Sequence, residues 1–155
     1  MDKRYADLVK AAEEAMKNSY SPYSKIRVGA AILTKDGHVF TGCNVENASY
    51  GLTMCAERVA AFKAVSEGFR DFQAIAVVSD LVNPSPCGAC RQVLSEFSPD
   101  MDVIYGEKVQ KLRELLPDVF HLGDENGRRR TESKRQGIPY SLRPRRCREI
   151  RAAAR

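Results

Sequence analysis

Three cysteines in two short motifs constrain the fold of this chain more than any other feature. Cys55 stands in Cys55-Ala-Glu57, and the other two stand much later in Pro86-Cys-Gly-Ala-Cys90. Three thiolates can hold one zinc ion and leave its fourth position to water, so a fold that uses all three must bring the two motifs together. Glu57, two residues from one ligand, is then placed to move protons at that position.

The residues around the cysteines suit this chemistry. Both motifs are predicted to begin helices, where the partial positive charge of the helix N-terminus favours thiolates. Three thiolates on one Zn²⁺ leave about one net negative charge, and Arg58 and Arg91 each follow a motif and are candidates to donate to the sulfurs, Arg58 more strongly. Three zinc-binding cysteines with a glutamate that is not a ligand are typical of zinc-dependent deaminases of nucleosides and nucleobases.

Other interpretations of the cysteines stay open from the residues alone. In isolation Cys87-x-x-Cys90 is typical of a redox pair, which the preceding proline and the distant Cys55 motif disfavour. A purely structural zinc needs four ligands, and Cys43 or His38 would have to supply the fourth. We expect Cys43, in the middle of a strand, to be a small buried apolar residue instead.

Hydrophobic periodicity predicts helices and strands that alternate over residues 5–122. Asp36-Gly37 is typical of a hairpin turn between two of the strands. This alternation predicts an α/β sandwich around one sheet. The predicted helices cover 5–18, 54–65, 88–97 and 109–116, and the predicted strands cover 28–33, 39–45, 74–78 and 103–105.

The charge divides the chain into two parts. Of the net charge of +5, residues 123–155 contribute +7, from eleven basic and four acidic residues, so residues 1–122 carry −2. We predict one domain over 1–122 and a basic, mobile tail over 123–155 that makes nonspecific contacts with polyanions at most. The first residues lack the apolar core of a signal peptide, no apolar run approaches the length of a membrane span, and the odd number of cysteines favours a reducing compartment, so we expect a cytoplasmic protein.

Several segments resemble, in order, the small homotetrameric type of cytidine deaminase. The match covers about residues 5–122. It implies a three-layer α/β/α sandwich with a mixed sheet of about five strands, one Zn²⁺ per subunit on the three cysteines, and a homotetramer that acts on a free nucleoside. The matching segments are 20–25 with 28–31, 42–50, 55–58, 63–68, 85–92, and 115–117 leading to Phe120.

The resemblance also implies a reaction and a set of substrate contacts. The reaction is the hydrolytic deamination of cytidine and deoxycytidine to uridine and deoxyuridine, as in pyrimidine salvage, with Glu57 as proton shuttle. Asn44 and Glu46 match the pair that holds the ribose 3′-hydroxyl. Four further residues are assigned to the base or to a neighbouring subunit's site, and Phe120 is placed over the base. These residues are Ile26, Ala56, Tyr50 and Phe120.

The chain departs from the family pattern at two places. Ile26 stands where the family commonly has a phenylalanine, so apolar contact with the base is kept while aromatic geometry is lost. The stretch 103–111 is shorter than is usual in the family, so the sequence leaves open whether the fifth strand is complete. Three alternatives stay beside the main prediction: a deaminase of another aminopyrimidine nucleoside, such as an antibiotic, which the segment 44–46 disfavours; a deaminase of cytosine in nucleic acid; and a nucleic-acid-binding protein with a structural zinc.

Overall fold

The computed structural model describes residues 5–80 and 84–122, and their alternating helices and strands build one mixed sheet. A short 3₁₀ turn at Tyr50–Leu52 lies between the second strand and the second helix. Within the described ranges, no helix is long and apolar enough to cross a membrane. The elements are α1 (Ala6–Met16), β1 (Val28–Thr34), β2 (Val39–Cys43), α2 (Ala56–Ser66), β3 (Phe72–Ser79), α3 (Gly88–Phe97), β4 (Asp102–Tyr105), β5 (Lys108–Lys111) and α4 (Leu112–Leu115).

The five strands follow the order β2-β1-β3-β4-β5. β1 pairs antiparallel with β2 and β3, β3 pairs parallel with β4, and β4 pairs antiparallel with β5. The parallel pair requires a crossover, which α3 provides between β3 and β4. The predicted mixed sheet of about five strands is therefore confirmed.

Side chains alternate between the two faces of the sheet, as strand geometry requires, and each face has its own apolar core. On one face, Ile32, Ile75 and Val103 are buried with the alanines of α2 and with Leu94 of α3. On the other face, Ala31, Ala76 and Ile104 are buried with α1. Helices thus cover both faces, which gives the three layers that were expected.

The predicted helix over 109–116 is wrong in its first half. Residues Lys108–Lys111 form β5, and only Leu112–Leu115 are helical. Gly106 adopts a φ of 56°, which lets a tight turn send the chain back along β4. The Tyr105 hydroxyl donates to the side-chain carbonyl of Gln110 within the resulting pair. The fifth strand is present, whereas the predicted basic tail, 123–155, lies outside the described residues.

A close approach at Gly42 seats α2 against β2. A Cβ atom at this position would lie 2.5 Å from the carbonyl oxygen of Ala56 and 2.6 Å from the backbone nitrogen of Ala60. Both contacts are with backbone atoms, which cannot rotate away. The absence of a side chain at Gly42 therefore sets the height of the N-terminus of α2, which carries Cys55 and Glu57, above the sheet.

We predict that Gly42→Ala destabilises the fold by about 1–3 kcal/mol, because the added methyl group overlaps the backbone of α2. Urea unfolding followed by circular dichroism measures this. Gly51→Ala is the matched control, since its Cβ would meet no heavy atom within 4 Å. Equal unfolding midpoints for the two variants would contradict the close approach of α2 and β2.

Candidate active site

Two helix N-termini bring the three predicted ligand sulfurs together. Cys55 is the N-cap of α2, Cys87 is the N-cap of α3, and Cys90 lies in the first turn of α3. The Sγ atoms of Cys55 and Cys87 are 3.9 Å apart, those of Cys87 and Cys90 are 3.5 Å apart, and all three lie within 4.8 Å of one another. Tetrahedral zinc with Zn–S bonds of about 2.3 Å requires ~3.8 Å between sulfurs, so the cluster fits one zinc ion with a fourth position left open.

The charge of the cluster is balanced by one arginine. Nη2 of Arg58 lies 3.4 Å from Sγ of Cys55, as its position three residues later on the same helix face predicts. A hydrogen bond from Cys90 and the charge of Arg58 lower the pKa of the Cys55 thiol to about 5, although burial opposes this. The same hydrogen bond and burial raise the pKa of Cys90. Zinc binds the thiolate form, so the lowered pKa of Cys55 suits its role as a ligand.

Glu57 is buried beside this cluster. It is the second residue of α2, and only 4% of its surface is exposed. Burial raises the pKa of its carboxyl group, and the negative charge of the Cys55 thiolate adds to this effect. A raised pKa makes the carboxylate a stronger base, which favours a role in proton transfer.

Arg91 does not contact the sulfurs, so the expectation that it donates to them is wrong. Its Nε donates to the carbonyl oxygen of Pro86 at 2.7 Å, its Nη1 to the carbonyl oxygen of Leu115 at 2.8 Å, and its Nη2 to Oγ of Ser85 at 3.0 Å. These oxygens are stronger acceptors than sulfur. Arg91 instead ties the loop before Cys87 to the end of α4.

An open cleft of about 370 Å³ lies over the segments that follow α1 and β2, and is lined by Tyr23, Ser24, Glu46, Tyr50 and Thr53. The carboxylate of Glu46 accepts hydrogen bonds from the backbone N–H groups of Tyr23 and Ser24, at 2.9 and 3.2 Å, and from the Ser24 hydroxyl. These donors, the hydroxyl first, lower the pKa of Glu46. The cleft thus presents a fixed anionic acceptor.

Asn44 is buried and holds the chain on either side of the cleft. Its Oδ1 accepts from the Ser19 hydroxyl at 2.5 Å and from the backbone N–H of Val28 at 2.8 Å, and its Nδ2 donates to the carbonyl oxygen of Ile26 at 2.9 Å. Sequence reasoning assigned no role to Ser19 or Ser24, although Ser24 lies in the segment 20–25 that resembles the family. An amide has two N–H donors, and these bonds use one of them.

The other predicted substrate residues lie on separate elements and do not form one cluster. Ile26 is half-buried, and its backbone N–H donates to Oγ of Ser24 at 3.0 Å. Ala56 is buried at the start of α2. The Tyr50 side chain is exposed, with its ring centroid 5.9 Å from that of Tyr23. Phe120 is 70% exposed, so its ring packs little against the described residues.

The alternative fourth ligands lie elsewhere. Sγ of Cys43 donates to the carbonyl oxygen of Asn18 at 3.3 Å. His38 has Nδ1 3.5 Å from the Asp36 carboxylate, and its ring lies 4.5 Å from that of Phe69. In the part of the chain that the structure describes, the only group of three or more His, Cys, Asp and Glu side chains placed to hold a metal is the cysteine cluster. A closed four-residue zinc site is therefore absent from those residues.

Residues 2–107 match the family model of the cytidine and deoxycytidylate deaminase zinc-binding region. The chain is 52% identical to a cytidine deaminase of Halalkalibacterium halodurans over 126 residues, 77% of this chain and 96% of that relative. The solved structure of cytidine deaminase from Burkholderia pseudomallei has a TM-score of 0.72 at 48% identity, covering 77% of this chain and 100% of that one. A blasticidin-S deaminase of Bacillus cereus is 37% identical over 124 residues, 72% of this chain and 88% of that relative.

We predict that Cys87→Ser lowers the zinc content from one ion per chain to a small fraction, because a serine hydroxyl does not ionise to replace a thiolate ligand. Zinc per chain is measured by atomic emission after dialysis against a mild chelator. Cys43→Ser is the matched control, since it changes a cysteine outside the cluster. Equal zinc retention by both variants would contradict the assignment of the ligands.

Proposed function

We infer the activity of this chain from its family, because it belongs to the cytidine and deoxycytidylate deaminases. It is a zinc-dependent hydrolase that converts cytidine to uridine with release of ammonia, and by our proposal it accepts deoxycytidine as well. One observation carries this conclusion: three cysteine sulfurs fit a zinc ion with an open position, and a buried glutamate lies directly beside them.

The roles of the residues follow from their surroundings. Cys55, Cys87 and Cys90 would hold the zinc ion, which supplies an activated water at neutral pH when it is bound. Glu57 accepts a proton from the attacking water and delivers it to N3 of the cytosine ring. A second proton transfer by Glu57 assists the departure of the amino group as ammonia. The raised pKa of this buried carboxyl group suits both transfers.

We assign the sugar to the cleft beside Glu46. The carboxylate of Glu46 is held in place by three donors and kept ionised, so it can accept a hydrogen bond from the ribose 3′-hydroxyl. The remaining N–H of Asn44 can donate to the same hydroxyl. Ile26 supplies an apolar contact with the base, and Ala56 lies next to Glu57 at the start of the helix.

We propose a homotetramer as the active assembly. The rings of Tyr50 and Phe120 are 75% and 70% exposed in the single chain, so they are free to enter the site of a neighbouring subunit. Helices α2 and α3, which begin at the zinc ligands, would pack near the centre. Thiolate ligation suits a reducing compartment, and we place the enzyme in the cytoplasm.

A second candidate is deamination of an antibiotic nucleoside. The similarity to a blasticidin-S deaminase over 88% of that relative supports it, because both reactions remove an amino group from a cytosine ring. The fixed carboxylate of Glu46 favours the first candidate, since it is placed to accept from a sugar hydroxyl.

We predict that Glu57→Gln lowers kcat for cytidine by about 10²–10⁴-fold at unchanged zinc content, because the amide cannot accept the proton. The loss of ultraviolet absorbance of cytidine measures the rate. Glu67→Gln, an exposed glutamate at the end of the same helix, is the matched control and should keep wild-type activity.

Two outcomes would change the assignment. Undiminished activity in zinc-loaded Glu57→Gln would remove Glu57 from the mechanism. If zinc-loaded wild type left cytidine unchanged but deaminated blasticidin S, the second candidate would replace the first.

We predict that Glu46→Gln lowers kcat/KM for cytidine by about 10–100-fold, as expected for the loss of a hydrogen bond to a charged group. With 3′-deoxycytidine, which lacks the hydroxyl, the variant and the wild type should differ by less than about threefold. Steady-state kinetics with both substrates tests this. The same penalty on both substrates would show that Glu46 acts on something other than the 3′-hydroxyl.

A further inference from the structure

The chain beyond α4 is held at Phe120 by one side chain. Residues 117–122 contain neither helix nor strand. Nε2 of Gln92 donates to the carbonyl oxygen of Phe120 at 2.9 Å, and the backbone N–H of Phe120 donates to Oε1 of Gln92 at 3.2 Å. The amide of Gln92 therefore pairs with both backbone groups of Phe120, as a neighbouring strand would.

The residue before Gln92 also binds backbone close to Phe120, at the end of α4. Arg91 donates to the carbonyl oxygen of Leu115 at 2.8 Å and to that of Pro86 at 2.7 Å. Two consecutive residues of α3, directly after the ligand Cys90, thus hold both ends of the stretch 115–120. Within residues 5–80 and 84–122, the two bonds of Gln92 are the hydrogen bonds that hold the backbone of 117–122.

These hydrogen bonds fix the backbone of Phe120 and leave its ring exposed. The Phe120 side chain is 70% exposed, so packing within its own subunit does not determine where it points. A ring on an unanchored segment would have to be ordered each time substrate binds, and the entropy lost in ordering it would weaken the affinity. A ring on an anchored backbone is already in place.

We propose that Gln92 is a positioning residue for substrate binding, whose side-chain amide fixes the backbone of Phe120 and so presents its ring to the base of the nucleoside. The proposal rests on the proposed function in one respect, the placement of Phe120 over the base in a neighbouring subunit. Gln92 itself takes no part in proton transfer, so its contribution lies in KM and not in kcat.

Kinetics of three variants test this. Gln92→Met keeps the length of the side chain and removes both hydrogen bonds, and we expect KM for cytidine to rise about five- to tenfold, the effect of one or two lost neutral hydrogen bonds. The value of kcat should stay within about twofold, since only binding is lost. Phe120→Ala should raise KM at least as much. The double variant should equal Phe120→Ala alone, because Gln92 acts through that ring.

The lack of tryptophan in the chain allows a second measurement without substrate. Phe120→Trp introduces a single tryptophan into the anchored segment, and it can be excited selectively over the six tyrosines. Adding Gln92→Met to this variant should lower its fluorescence anisotropy, because the released segment moves faster. Gln73→Met, which changes an exposed glutamine at the start of β3, is the matched control in both experiments and should change neither KM nor anisotropy.

The outcomes separate the two proposals. If Phe120→Ala leaves KM unchanged, Phe120 does not cover the base, and both its assignment and the role of Gln92 are overturned. If Phe120→Ala raises KM while Gln92→Met does not, or if the two effects add in the double variant, only the role of Gln92 is overturned. Unchanged anisotropy after Gln92→Met overturns it as well.

Discussion

The meeting of two helix N-termini is the constraint on which the rest of this structure depends. The Sγ atoms of Cys55, Cys87 and Cys90 come within 4.8 Å of one another only because α2 and α3 begin side by side on the same face of the sheet. Gly42 allows α2 to approach β2 at backbone distance, and the parallel pairing of β3 with β4 requires the crossover that α3 supplies. The aligned peptide dipoles then favour thiolates where the metal needs them. The sheet order and the metal chemistry are two consequences of one packing arrangement.

Two glutamates in the same region have opposite properties because of their surroundings. Glu57 is buried beside a thiolate, and the loss of hydration raises the pKa of its carboxyl group. Glu46 is half-buried, and the hydroxyl and N–H donors of the segment Tyr23–Ser24 lower the pKa of its carboxyl group. Burial thus favours the protonated form of the first, whereas hydrogen bonds favour the ionised form of the second, which acts as a fixed acceptor. The same side chain thus serves proton transfer at one position and recognition at another.

The sequence predicts those features that depend on neighbours close in the chain. The closeness of Cys87 to Cys90 and the contact of Arg58 with Cys55 each follow from spacing within a single helix. Spacing is not sufficient for Arg91, which lies four residues after Cys87 and would suit a sulfur contact equally well. Three oxygen acceptors from distant parts of the chain decide its orientation. Three of the four residues of β5, two lysines and a glutamine, are good helix formers, and the pairing with β4 through a turn at Gly106 overrides that preference.

Helix α3 joins the metal site to Phe120, which we propose lies over the base. Its N-cap and first turn carry Cys87 and Cys90, and the next two residues hold the segment 115–120 by hydrogen bonds to its backbone. A helix of this length behaves as a rigid body, so the position of the Phe120 backbone is set relative to the ligands and not by the substrate. In an assembly where the Phe120 ring enters a neighbouring site, its position would be set by α3 of its own subunit. The same helix carries two of that subunit's zinc ligands. The geometry of the catalytic site and the arrangement of the subunits would then both depend on α3 and its N-cap.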